Sequence, residues 1–114
     1  MQIEIPEWHE YGTEVREFLD ESLSDLQRFK LDDRLEFLQK LTYAELKAKH
    51  KLEKVDGLLH ELRVPIFAAN IRLLGKVCGT VLYLLYAFPK KRDKLTRNQI
   101  EIGLARTVSF QCPP

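Results

Sequence analysis

The chain has 114 residues, 45% hydrophobic and 31% charged, a composition that builds one globular domain with one core and no need of covalent staples. Cys78 and Cys112 are too few and too far apart for a disulfide framework and lack zinc-ligand spacing. The first residues have no signal-peptide character and no apolar run approaches a membrane span, so a soluble protein of the reducing cytoplasm is expected. The net charge of +1 hides a strong asymmetry: residues 1–46 carry 5 Lys+Arg against 12 Asp+Glu, net −7, and residues 47–114 carry 13 against 5, net +8, which favours one acidic and one basic surface.

In chain order, Gln2 to Ile5 alternate as a short half-buried strand limited by Pro6. From Thr13, the residues Val15, Phe18, Leu19 and Leu23 fall at helical spacing, with Glu14 and Glu17 early, where the helix dipole favours anions. Ser24 with Gln27 and Asp33 with Glu36 each form a capping-box pattern, so Asp25 to Leu41 reads as one helix or two, with Leu31, Leu35, Leu38 and Leu41 as its apolar set. A third box, Thr42 with Glu45, starts a further helical turn or two through Lys49 and leads to the cationic cluster Lys47, Lys49, His50, Lys51, Lys54.

Gly57 is expected to end the helical region. Leu58 to Val64 reads as a strand closed by Pro65, and Ile71 to Cys78 as a second strand interrupted by Gly75. Gly79 and Thr80 then reverse the chain into a long apolar strand, Val81 to Phe88. Pro89 ends that run, and Lys90, Lys91, Arg92, Asp93 and Lys94 follow at once, a block of cations at the end of a rigid strand that suits a polyanion. Thr96 and Gln99 open a last helix with Ile100, Leu104 and Val108 on one face. The expected fold is α+β: N-terminal helices packed on a small antiparallel sheet of three meandering strands, then a C-terminal helix, in a single domain over 1–114.

Strand alternation puts Leu59, Glu61 and Arg63 on one face and Leu58, His60, Leu62 and Val64 on the other, which is the better core face. In the next strand Arg72, Leu74 and Lys76 oppose Ile71, Leu73 and Val77. An uncovered sheet face would then gather Arg63, Arg72, Lys90, Lys91 and Lys94 around one hollow.

The order Leu59-His60-Glu61-Leu62-Arg63, Ile71-Arg72-Leu73, then Phe88 with Lys90, Lys91 and Lys94 resembles the RelE/HigB toxin superfamily, and within it the phage-derived HigB-like branch. The resemblance covers about half the chain in motif terms, and it lies in the order of the motifs. It implies the toxin of a type II toxin-antitoxin pair, a ribosome-dependent messenger-RNA endonuclease that cleaves through attack of the 2′-hydroxyl on the adjacent phosphate without metal or other cofactor. It implies a helix-turn-helix antitoxin, the ribosome and messenger RNA as partners, with no membrane; a homodimer is compatible with it. By position Arg72 and Lys91 match the phosphate-stabilising cations, with Arg63 as a catalytic companion. Lys90 and Lys94, joined by Arg92 and Lys54, would bind RNA.

The chain departs from the family pattern at His60, where an aromatic residue is common, and at Leu95 and Thr96, where threonine and proline are usual. Leu59 and Glu61 stand where some relatives carry lysines, so the acid and base must come from elsewhere. His50 and Tyr86 are the candidates, imidazole being the side chain that titrates nearest neutrality, whereas His60 faces the core. The alternative expectation is a non-catalytic relative that binds RNA or a protein through the same basic face.

Overall fold

The hydroxyls of Ser24, Thr42 and Thr96 accept from the backbone N–H three residues on, and Gln27, Glu45 and Gln99 reach back to the cap N–H, so three of the four expected capping boxes start helices. The computed structural model describes residues 1–114. Its elements are β1 (Gln2–Glu4), α1 (Glu10–Ser22), α2 (Asp25–Leu38), α3 (Tyr43–Ala48), β2 (Leu52–Asp56), β3 (Leu59–Leu62), β4 (Ile71–Cys78), β5 (Val81–Pro89) and α4 (Arg97–Ser109). Asp33 lies inside α2, which is one continuous helix. The first helix begins earlier than its apolar spacing suggests, because His9 caps it through Nδ1, which accepts from Tyr11 N–H.

The expected α+β architecture is present, with a larger sheet. Five strands run in the order β1-β5-β4-β3-β2, antiparallel from β2 to β5, with β1 added parallel to β5 through Ile3 opposite Leu82. The extra strand, β2, arises from the cationic segment before Gly57, where no strand is expected from the sequence. Leu52 enters the main core while Val55 packs on the opposite side, and a bulge between Lys54 and Asp56 then breaks the alternation. Gly57, at φ +54, makes the β2–β3 turn and does not terminate a helix. The strand β3 is shorter than expected, and Leu58 projects into solvent.

Both sheet faces are covered, which corrects the expectation of an open one. On one face Val15, Leu19, Leu31, Leu38 and Leu46 from α1, α2 and α3 pack with Leu52, Leu62, Leu73, Leu82 and Leu84. On the other, α4 settles on Leu59, Leu74 and Phe88 through Gly103, where a Cβ would come within 2.9 Å of Leu59 Cδ2. This helix buries Gly103 and Thr107, while Val108, expected inward, is 82% exposed. Lys76 ties its end to the sheet by donating from Nζ to the carbonyls of Thr107 (2.8 Å) and Phe110 (2.6 Å). A Cys78–Cys112 disulfide closes beside that contact, so these cysteines are paired, not the free thiols expected from their number and spacing.

Candidate nucleic-acid interface

Antiparallel pairing brings the start of β2, the end of β3, the start of β4 and the end of β5 to the same end of the sheet. A groove of about 840 Å³ opens there, lined by Arg34, Lys49, His50, Lys51, Arg63, Arg72 and Lys90, with Glu61 and Asp93 as its carboxylates. Seven nitrogen bases and cations against two acids make it a strongly basic concavity, and low-dielectric walls focus such a field on an incoming anion.

The helix α3 ends at this groove in a Schellman arrangement: Lys51 N–H bonds the Leu46 carbonyl (2.9 Å) and His50 N–H the Lys47 carbonyl (3.0 Å). His50 occupies the left-handed position, φ 57, that glycine normally fills. The imidazole is 80% exposed at the rim, with Nδ1 3.1 Å from Glu53 Oε1 and Nε2 free of protein partners. Glu53 Oε1 also faces Arg63 Nη1 at 3.9 Å, and Arg63 Nε lies 3.6 Å from Glu61 Oε1. Glu61 Oε2 then accepts from Arg72 Nη1 at 2.5 Å, and Arg72 Nη2 donates to the carbonyls of Arg92 (2.8 Å) and Asp93 (2.5 Å). A single charged chain therefore runs from His50 to the segment after β5.

These contacts redistribute the expected roles. Arg72 is buried and its charge is answered by Glu61, so it fixes the 92–93 backbone at the groove floor and offers no free guanidinium. Arg63 and Lys90 line the groove as expected, and Arg63 is half exposed. Lys91, Arg92 and Lys94 are exposed but do not line it; Arg92 contributes its carbonyl alone. Lys54, on β2, is also exposed and outside it.

Tyr86 is half-buried on the α4 side, tilted against Phe88 with Arg106 4.8 Å over its ring, away from the groove. That side follows from a bulge at Leu74/Gly75, where a Cβ on Gly75 would sit 2.4 Å from the Tyr83 carbonyl oxygen. The bulge puts consecutive Leu85 and Tyr86 on the α4 side. His60 faces the core as expected: Nδ1–H donates to the Leu58 carbonyl (2.9 Å), Nε2 accepts from the Tyr43 hydroxyl (2.8 Å), and burial lowers its pKa.

The sequence alone does not point to Arg34 and Phe67 as groove residues, nor to Glu53 as the carboxylate beside His50, and it assigns no site role to Lys49 and Lys51. The signal for the lysines was their crowding beside His50; Arg34 lies on a helix whose sequence neighbours are acidic, and nothing in its spacing points to the groove. No helix is long and apolar enough to cross a membrane, and no cluster of His, Cys, Asp and Glu suits a metal ion. No family model matches the chain, and no curated protein matches it.

Proposed function

We propose that this protein is a metal-independent endoribonuclease of RelE/HigB type, the toxin of a toxin-antitoxin pair, which draws messenger RNA into the groove and cleaves it by 2′-oxygen attack on the adjacent phosphate. The observation that carries the reading is an imidazole paired with a carboxylate, His50 with Glu53, at the rim of a cation-lined groove. In this reading His50 Nε2 takes the 2′-hydroxyl proton while Glu53 holds the ring through Nδ1–H and stabilises the imidazolium that forms. Arg63, Lys51 and Lys90 meet the charge that develops on the pentavalent phosphate, and the 5′-oxygen leaves with a proton from a groove ammonium. Arg72 acts as a positioning residue beneath them. The ribosome would present the message, a helix-turn-helix antitoxin would cover the basic groove, and the work would be done in the cytoplasm, where the Cys78–Cys112 pair would stand reduced and α4 would be held by Gly103 packing and the Lys76 bonds.

The second reading, a non-catalytic RNA-binding relative, is favoured by one observation: Arg72, the expected phosphate-stabilising arginine, is already saturated by Glu61. Inducing the chain in bacteria and mapping message ends separates the two. Growth arrest with new ends inside translated regions, lost in Arg63→Ala and Lys51→Ala proteins of unchanged melting temperature, supports the nuclease. Salt-sensitive RNA binding without new ends supports the second reading, and undiminished growth with intact messages and no RNA binding contradicts both.

A further inference from the structure

The rim of the groove carries two large apolar side chains that no core contact explains. Phe67 is 90% exposed at the tip of the turn between β3 and β4, and that turn is firmly built. Ile66 is buried, Ala69 N–H bonds the Ile66 carbonyl (3.1 Å), Gln27 Nε2 on α2 donates to the Phe67 carbonyl (3.2 Å), and Asn70 O receives Lys90 N–H (2.9 Å). Ala68 beside it holds a left-handed φ of 60, a conformation unfavourable to alanine. Across Arg34, Lys51 and Arg63, Phe37 of α2 is 60% exposed beside a second hollow of about 180 Å³ with Leu38, Val64 and Pro65. The two hollows share their cations and are contiguous. The second is smaller than the roughly 300–1,000 Å³ of a drug-sized pocket and suits one planar ring system.

We infer that Phe37 and Phe67 are base-stacking platforms, and that the ligand crossing the groove is single-stranded RNA with one base in the Phe37 hollow and another on Phe67. The inference rests on the groove being an RNA site and specifies what it reads. Cations between two aromatics match a strand whose phosphates and splayed bases alternate, and the bases of a duplex are stacked away from such contacts. Concavity favours a strand over a membrane surface, which needs a convex or flat apolar patch.

The test is fluorescence anisotropy with a labelled 2′-O-methyl oligoribonucleotide, which cannot undergo 2′-oxygen attack, of roughly a dozen nucleotides, within the range of single-strand site sizes. A duplex and an abasic strand of equal charge serve as comparisons, titrated from about 50 to 200 mM salt. Phe37→Ala and Phe67→Ala should each weaken single-strand binding about 5- to 150-fold with an unchanged salt slope, and Phe67→Trp should retain it. Lys51→Ala should instead reduce the slope by about one. The abasic strand and the duplex should bind wild-type protein more weakly than the single strand. Both phenylalanines are exposed, and circular dichroism verifies that the variants stay folded.

Phenylalanine variants that bind as wild type, with an abasic strand bound equally well, overturn the stacking inference and leave the groove reading standing. No salt-dependent RNA binding by wild-type protein overturns both. Binding to anionic phosphatidylglycerol vesicles in place of RNA, weakened by the same phenylalanine variants, also overturns the inference.

Discussion

His50 sits at a backbone position that favours glycine, with φ 57 at the end of α3. A left-handed conformation costs a non-glycine residue about 1–2 kcal/mol, so His50→Gly is expected to raise stability by about 1 kcal/mol in urea denaturation, within the gains seen at such cap positions. A stabilising replacement that abolishes activity marks a residue kept for its side chain. Glu61 presents the opposite case. Removing its carboxylate in Glu61→Ala leaves the buried Arg72 guanidinium unpaired and should cost about 3–5 kcal/mol, whereas Glu61→Leu with Arg72→Met should recover most of that loss.

His60 gives the residue-scale pH dependence. Burial lowers its folded-state pKa below the ordinary 6.5, so below that pH the unfolded chain binds a proton that the folded chain does not. Stability is therefore full above pH 6.5 and falls as the pH drops through the folded-state value. Melting temperatures should decline on acidification from about pH 7 to pH 5, and His60→Gln should flatten that part of the profile.

Among the elements, α4 is held by features that carry little apolar signal: Gly103 for close approach, Thr107, Lys76 on its terminal carbonyls, and the Cys78–Cys112 link. The disulfide spans a sequence separation of 34, and a loop of that size corresponds to about 3–4 kcal/mol in the chain-entropy treatment. Reduction, or Cys112→Ser, should lower the unfolding free energy in urea denaturation by that order while the Lys76 bonds keep α4 docked; loss of helix signal would contradict this.

Where local chemistry decides structure, it was readable: the hydroxyl caps at Ser24, Thr42 and Thr96 mark three helix starts, and β4 occupies the stretch its apolar run indicates. The strand β2 was hidden because its bulge breaks the two-residue period and its surface is charged. The face of α4 was hidden because a glycine makes the contact. Pairing of Cys78 with Cys112 depends on the tertiary return of the C-terminus to the sheet, which no spacing encodes.

At the scale of the whole molecule, the groove is a product of antiparallel return: Lys49 to Lys51, Arg63 and Lys90 are far apart in sequence and meet because four strand ends share one side of the sheet. The expectation of converging cations at Arg63 and Lys90 reflected that topology. Arg72 also lines the groove, but paired with Glu61, and Lys91 lies outside its lining; the partner of a buried arginine and the course of the chain after Pro89 are tertiary facts.

The proposed ribonuclease is tested most directly by sequencing messenger-RNA ends after induction of wild-type and His50→Gly proteins, the variant being at least as stable as the parent. New ends bearing 2′,3′-cyclic phosphate in wild-type cells, and their loss in the variant, are expected. Wild-type cells without such ends, or undiminished cleavage by His50→Gly, would contradict the assignment of the His50–Glu53 pair and the groove to RNA cleavage.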